Sequence, residues 1–144
     1  RLVRGKTDVV MMLNGALGGL VAITAEPLMP TPLMAIIIGG IGGALVFAGT
    51  ELLTALKIDD VVGAIPVHLI AGVWGTLAVP ITNPDTSFGT QFLGTASICV
   101  FVFVVSIIIW GIMKATIGIR ISEEAEKEGT DVAETGVIAY SIRD

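Results

Sequence analysis

The stretch DDVVGAIPVHLIAGVWGTLAVP, residues 59–80, limits what this chain can become more than any other. Two carboxylates open it. About twenty residues then follow with no ionisable side chain except His68, and that is the length of apolar helix a bilayer core requires. His68 is the only histidine in the chain and lies near the middle of the run. An ionisable group at membrane depth is expensive, so it normally faces other protein or a water-filled path and not lipid.

The remainder of the sequence agrees with a membrane reading. Of the 144 residues, 53% are hydrophobic and only 15% are charged, which is too few charges for a soluble domain of this size. Polar residues gather at 1–8, 57–60, 82–87 and 120–144, and apolar runs fill the gaps. These runs do not alternate apolar with polar, as strands of a membrane barrel would. The fold class expected is all-α: a polytopic membrane helical bundle of four transmembrane helices with a cytoplasmic tail. Residues 1–119 form the membrane domain and residues 120–144 the tail.

Composition also excludes some functions. The net charge of −5 comes largely from the C-terminal segment, and no basic patch with interleaved aromatics offers a nucleic-acid interface. Cys99 is the single cysteine, so it forms no internal disulfide and reads as a small buried apolar residue. One histidine, one cysteine on a different helix and no carboxylate at membrane depth make a poor ligand set, so no metal is expected.

Taken in order, the first helix covers about residues 8–24, with Asp8 as its cap and Gly15 and Gly19 forming a small face for close helix approach. Asn14 lies beside that face and is expected to hydrogen-bond a neighbouring helix. A proline-rich loop, AEPLMPTP, separates it from the second helix at about 33–56. Gly39 and Gly43, again four apart, mark a second packing face. Asp59 or Asp60 caps the third helix, about 61–79, where negative charge suits the positive end of the helix dipole. Pro66 lies inside that helix and is expected to free the carbonyl of Val62. At helical spacing His68 shares a face with Ala64, Ala71, Gly72 and Gly75, which are therefore candidates for lining a lumen or packing on a helix. The fourth helix, about 91–118, is longer than a perpendicular span needs.

The eight Lys and Arg residues fall in the N-terminal segment, the 57–60 turn, the end of the fourth helix and the tail; the 25–32 and 80–90 loops have none. The positive-inside rule therefore places both termini and the 57–60 turn in the cytoplasm of a multi-pass cell-membrane protein. The opening RLVRGK reads as a loop within a longer chain.

The segments ALGGLVAIT, IGGIGG, DD followed by VH, and GVWGTL, with the tail EEAEKEGTDVAETGVIAY, resemble the ammonium transporter family (Amt/MEP/Rhesus). Their order is similar to the last four membrane helices and cytoplasmic tail of an eleven-helix protein. The resemblance implies a channel or transporter for ammonium or ammonia, serving nitrogen uptake, with neither enzyme activity nor cofactor. It implies a homotrimer in the lipid bilayer with one pore per subunit. His68 matches one of two pore histidines that contact each other, the partner lying on an earlier helix. In the tail, Gly129, Asp131 and Tyr140 match the regulatory region, and the PII signalling protein is the partner implied at the cytoplasmic face. Gly63 and Leu69 stand where the family often has aspartate and glycine. Thr135 and Val137 stand where many members have histidine and glutamate. An ammonium-sensing membrane module of a signalling protein is the alternative function. The chemistry suits a lumen: desolvation penalises charged species, and a neutral imidazole offers one donor and one acceptor to ammonia.

Overall fold

Caps and proline positions decide where each helix begins. In the computed structural model, which describes Gly5 and residues 7–139, every regular element among the described residues is helical. Helix α1 spans Val9–Ile23, α2 Pro32–Ala55, α3 Ile65–Thr82, α4 Phe88–Thr116, α5 Glu123–Glu128 and α6 Thr130–Thr135. The first part of α3, Ile65–Ile70, is a π-helix, and Ala71–Thr82 is α-helical. The chain divides into two compact units, residues 1–99 and 100–144.

Side-chain oxygens meet the orphan amides at the helix starts. Asp8 accepts from the Met11 amide at 2.9 Å, and Thr31 from the Met34 amide at 3.3 Å with Pro32 in the first turn. At α3 the cap is Asp60, whose two carboxylate oxygens accept from the amides of Ala64 and Ile65 at 2.9 and 2.8 Å. Asp59 is exposed beside it. Losing such a cap typically costs about 1 kcal/mol. Asp60→Ala is therefore expected to lower the thermal unfolding midpoint of the purified protein, whereas Asp59→Ala is not. Equal midpoints for the two variants would refute this assignment.

Helices α2, α3 and α4, of 24, 18 and 29 residues, are long and apolar enough to cross a membrane. The molecule is thus a multi-pass helical membrane protein. At 15 residues α1 is shorter, about 22 Å at 1.5 Å per residue against a hydrocarbon core of about 30 Å.

Within residues 1–99, α1, α2 and α3 pack on one another through small residues. A Cβ on Gly19 would stand 3.1 Å from the Gly39 carbonyl oxygen, and one on Gly43 would stand 2.9 Å from that of Gly15. Pairing 19 with 39 and 15 with 43 shows that α1 and α2 run antiparallel. Without hydrophobic gain between helices in lipid, such backbone proximity is what lets packing and dispersion hold them together. The α3 stripe Val67, Ala71, Gly75, Ala78 faces this pair. Val67 and Ala71 are buried with Val46, and Ala78 is buried with Ala22 and Ile38. A Cβ on Gly75 would run into the Ala22 backbone. Trp74 crosses to α2 and donates from Nε1 to the Ile38 carbonyl at 3.0 Å. Glu26 accepts from Asn83 Nδ2 at 2.9 Å, which ties the 25–32 loop to the end of α3.

Two expectations about α3 are corrected. The helix begins at Ile65 and not at Val61, so Pro66 occupies its first turn, where a missing amide is harmless. The carbonyl of Val62 is not left free: it accepts from Asn14 Nδ2 at 2.9 Å. At the other end α3 continues through Pro80 to Thr82, because proline's φ suits a helix and only one backbone bond is lost.

In residues 100–144, Ser122 caps α5 by accepting from the Ala125 amide at 3.2 Å. Gly129 then joins α5 to α6 at φ 104° and ψ 130°, an extended positive-φ conformation and not the left-handed cap that an isolated acidic helix would use. Its carbonyl instead starts α6 by accepting from Val132 and Ala133. Gly136, at φ 67° and ψ 15°, supplies the left-handed cap one helix later. Asp131 closes the turn, its carboxylate accepting from the Ala139 amide at 2.8 Å. Tyr140 lies outside the described residues.

Candidate functional site

The direction of His68 is set by the π-helix that carries it. There the Ala71 amide bonds to the Pro66 carbonyl, five residues back. A π turn holds more residues than an α turn, so spacings of three and seven no longer keep residues on one face. The predicted face therefore splits. Ala71 and Gly75 turn into the α1–α2 packing and are buried, while Ala64 is exposed before the π-helix begins. Gly72, four residues on, stays with His68.

His68 is exposed and lines an open groove of about 310 Å³. On α3 the groove is bounded by His68, Leu69, Gly72, Val73 and Thr76, which run along one side of the helix. On the first half of α4 it is bounded by Gln91, Gly94, Thr95, Ile98 and Cys99. The walls are mostly apolar with a few polar atoms. Thr76 satisfies its hydroxyl on the Gly72 carbonyl at 3.0 Å, whereas Thr95 Oγ1 is buried and has no partner among the described residues. Cys99 is half-buried and lies in this wall. Sequence reasoning passed over the polar residues of α4. Gln91, Thr95 and Cys99 recur every four residues in a helix otherwise rich in Ile, Phe and Val, and that spacing was the available signal.

A second, polar cleft of about 340 Å³ opens where α2 ends and α3 begins. Thr50, Thr54, Lys57, Asp59, Asp60 and Gly63 lie on its walls. Lys57 adopts φ 57°, the single positive-φ non-glycine among the described residues, and this reverses the chain between the helices. Pro66 borders the cleft and precedes His68 by two residues. Among the described residues no three His, Cys, Asp or Glu side chains gather in a way that could hold a metal ion.

Residues 1–140 match the model of the Ammonium Transporter Family. The chain belongs to the ammonium transporter family. Relatives carry it through nearly its whole length. A Synechocystis sp. protein named for ammonium transport is 39% identical across 91% of this chain, which corresponds to 30% of the relative. An ammonium transporter of Haloferax mediterranei is 36% identical across 95% of the chain and 28% of its own length. One of Archaeoglobus fulgidus is 36% identical across 94% and 33%. The chain thus spans about a third of the length of the ammonium transporters it matches. The small-residue helix pairs, the Asp60 cap and the π-helix bearing His68 all fall inside the matched region.

Proposed function

We propose that this chain forms part of an ammonium-conducting path across the membrane and supplies one of its two pore histidines, His68. One observation carries the reading. His68 is the only histidine, it lies near the middle of a long apolar segment, and it faces an open groove while Val67 and Ala71 on α3 fill the bundle core. An ionisable side chain kept in such a segment marks a path for a polar species. A neutral imidazole has one donor and one acceptor, which suits ammonia. Hydrated alkali ions meet mostly apolar walls that cannot replace their water.

The second histidine and the rest of the lumen would come from residues outside these 144, in keeping with the greater length of the relatives. Both termini and the 57–60 turn would be cytoplasmic. The assembly would be a homotrimer serving nitrogen uptake. The α5–α6 segment around Gly129 and Asp131, with Tyr140, would regulate conduction, and PII is the partner expected at that face. Asp60 and Pro66 act structurally, at the entry to the helix that bears His68.

Liposome flux tests the division of the pore. Full-length protein containing this segment should carry ammonium down a gradient. Residues 1–144 alone should give no flux above lipid background, since half of the lumen is missing. Saturable flux from the 144-residue segment would refute the two-part pore.

A further inference from the structure

Asn14 is the one polar side chain of α1 that reaches the start of α3. Its Nδ2 donates to the Val62 carbonyl at 2.9 Å. Because a carbonyl can only accept, that contact fixes which way round the carboxamide sits. The next residue, Gly63, is buried at φ 77°, and a Cβ there would stand 2.5 Å from Asn14 Nδ2. The amide thus occupies the space a side chain at position 63 would take. Past Gly63 the backbone enters the helix directly. The Asp60 carboxylate holds the amides of Ala64 and Ile65, and the Val67 amide bonds to the Gly63 carbonyl at 3.1 Å. The π-helix follows at Ile65, and His68 is its fourth residue.

We infer that Asn14 is a positioning residue for His68: by pinning the Val62–Gly63 turn to α1, its carboxamide sets the rotational phase of the π-helix and so aims the imidazole into the groove. The inference rests on the reading of His68 as a pore residue. The physical reason is the narrow tolerance of this helix start. Asp60 fixes only the first two amides, and an α-helical start with the same Asp60 cap would turn His68 by a different angle. The Asn14 bond is the tertiary contact that anchors the turn from the α1 side. Gly63 is required twice, for its positive φ and for leaving room for the amide.

Ammonium flux in liposomes of the full-length protein tests this through a double-mutant cycle. Asn14→Leu keeps the approximate volume and removes the donor. Gly63→Ala disrupts the same contact from the other side, and stands in if the leucine variant is poorly folded. Each is expected to lower ammonium flux on the order of tenfold while the purified protein keeps its size profile. In a His68→Glu background, where no imidazole remains to be aimed, adding either change should lower flux by less than about twofold. That non-additivity is the readout a merely structural role would not produce. Full flux in both single variants would overturn the inference, as would an undiminished tenfold loss in the His68→Glu background. If His68→Glu itself conducts and selects like wild type, the pore reading falls and this inference with it. If His68→Glu is altered and the cycle is additive, only the role of Asn14 falls.

Discussion

Gly43→Leu is expected to prevent normal assembly, whereas Gly40→Leu, three residues earlier on the same helix, is expected to be tolerated. The two glycines differ in what a side chain would meet. A Cβ at position 43 would stand 2.9 Å from the Gly15 carbonyl oxygen and 3.6 Å from its carbonyl carbon, both backbone atoms of α1 that cannot rotate aside. At position 39 it would stand 3.3 Å from the Gly19 oxygen, so Gly39→Leu should behave like Gly43→Leu. At position 40 nothing described lies within 4 Å. Forcing bulk into a closed contact typically costs about 1–3 kcal/mol, and leucine against a helix backbone belongs at the upper end of that range or above it. Helices α1 and α2 would have to separate, and the seat of α3 on them would open with it. Membrane yield and the size profile in mild detergent read this out. Yields that do not distinguish positions 39 and 43 from position 40 would show that the close approach is not what holds α1 to α2.

The layout of the bundle was legible because its causes are local. Asp8 and the apolar runs after it mark a helix regardless of what surrounds them. Glycines four apart mark close approach, although only the structure pairs 19 with 39 and 15 with 43. Other features depended on tertiary context. Pro66 signalled a disturbance near His68, but an i→i+5 phase leaves no pattern in the residues themselves, so Ala71 and Gly75 were grouped with His68 when they face the core. Asn14 announced a partner without naming it, and the Val62 carbonyl lies 48 residues away. Gly63 looked like a lost aspartate. It is instead a positive-φ position whose Cβ space is filled by another residue's amide. In the tail, Gly129 ends α5, whereas Gly136, one helix later, takes the left-handed conformation.

Removing the imidazole at position 68 should have the largest functional effect. His68 is exposed to the groove and buries nothing in the core, so His68→Ala is expected to leave the helix inserted and the protein folded. On the proposed function, what it removes is the donor and acceptor at the middle of the path. A desolvated ammonia left without partners loses about 1–3 kcal/mol, which corresponds to a drop in flux of about fivefold to somewhat over a hundredfold. His68→Glu should behave differently. It keeps a proton acceptor and adds a group that can carry negative charge, which attracts cations into a lumen that otherwise offers them nothing. Conduction should then persist with its selectivity relaxed.

The decisive measurement is therefore ammonium and potassium current through the full-length protein with His, Ala and Glu at position 68. The pore reading predicts ammonium current without potassium current for histidine, loss of the ammonium current for alanine, and measurable potassium current for glutamate. Currents and selectivity unchanged in both variants would leave His68 with no part in conduction.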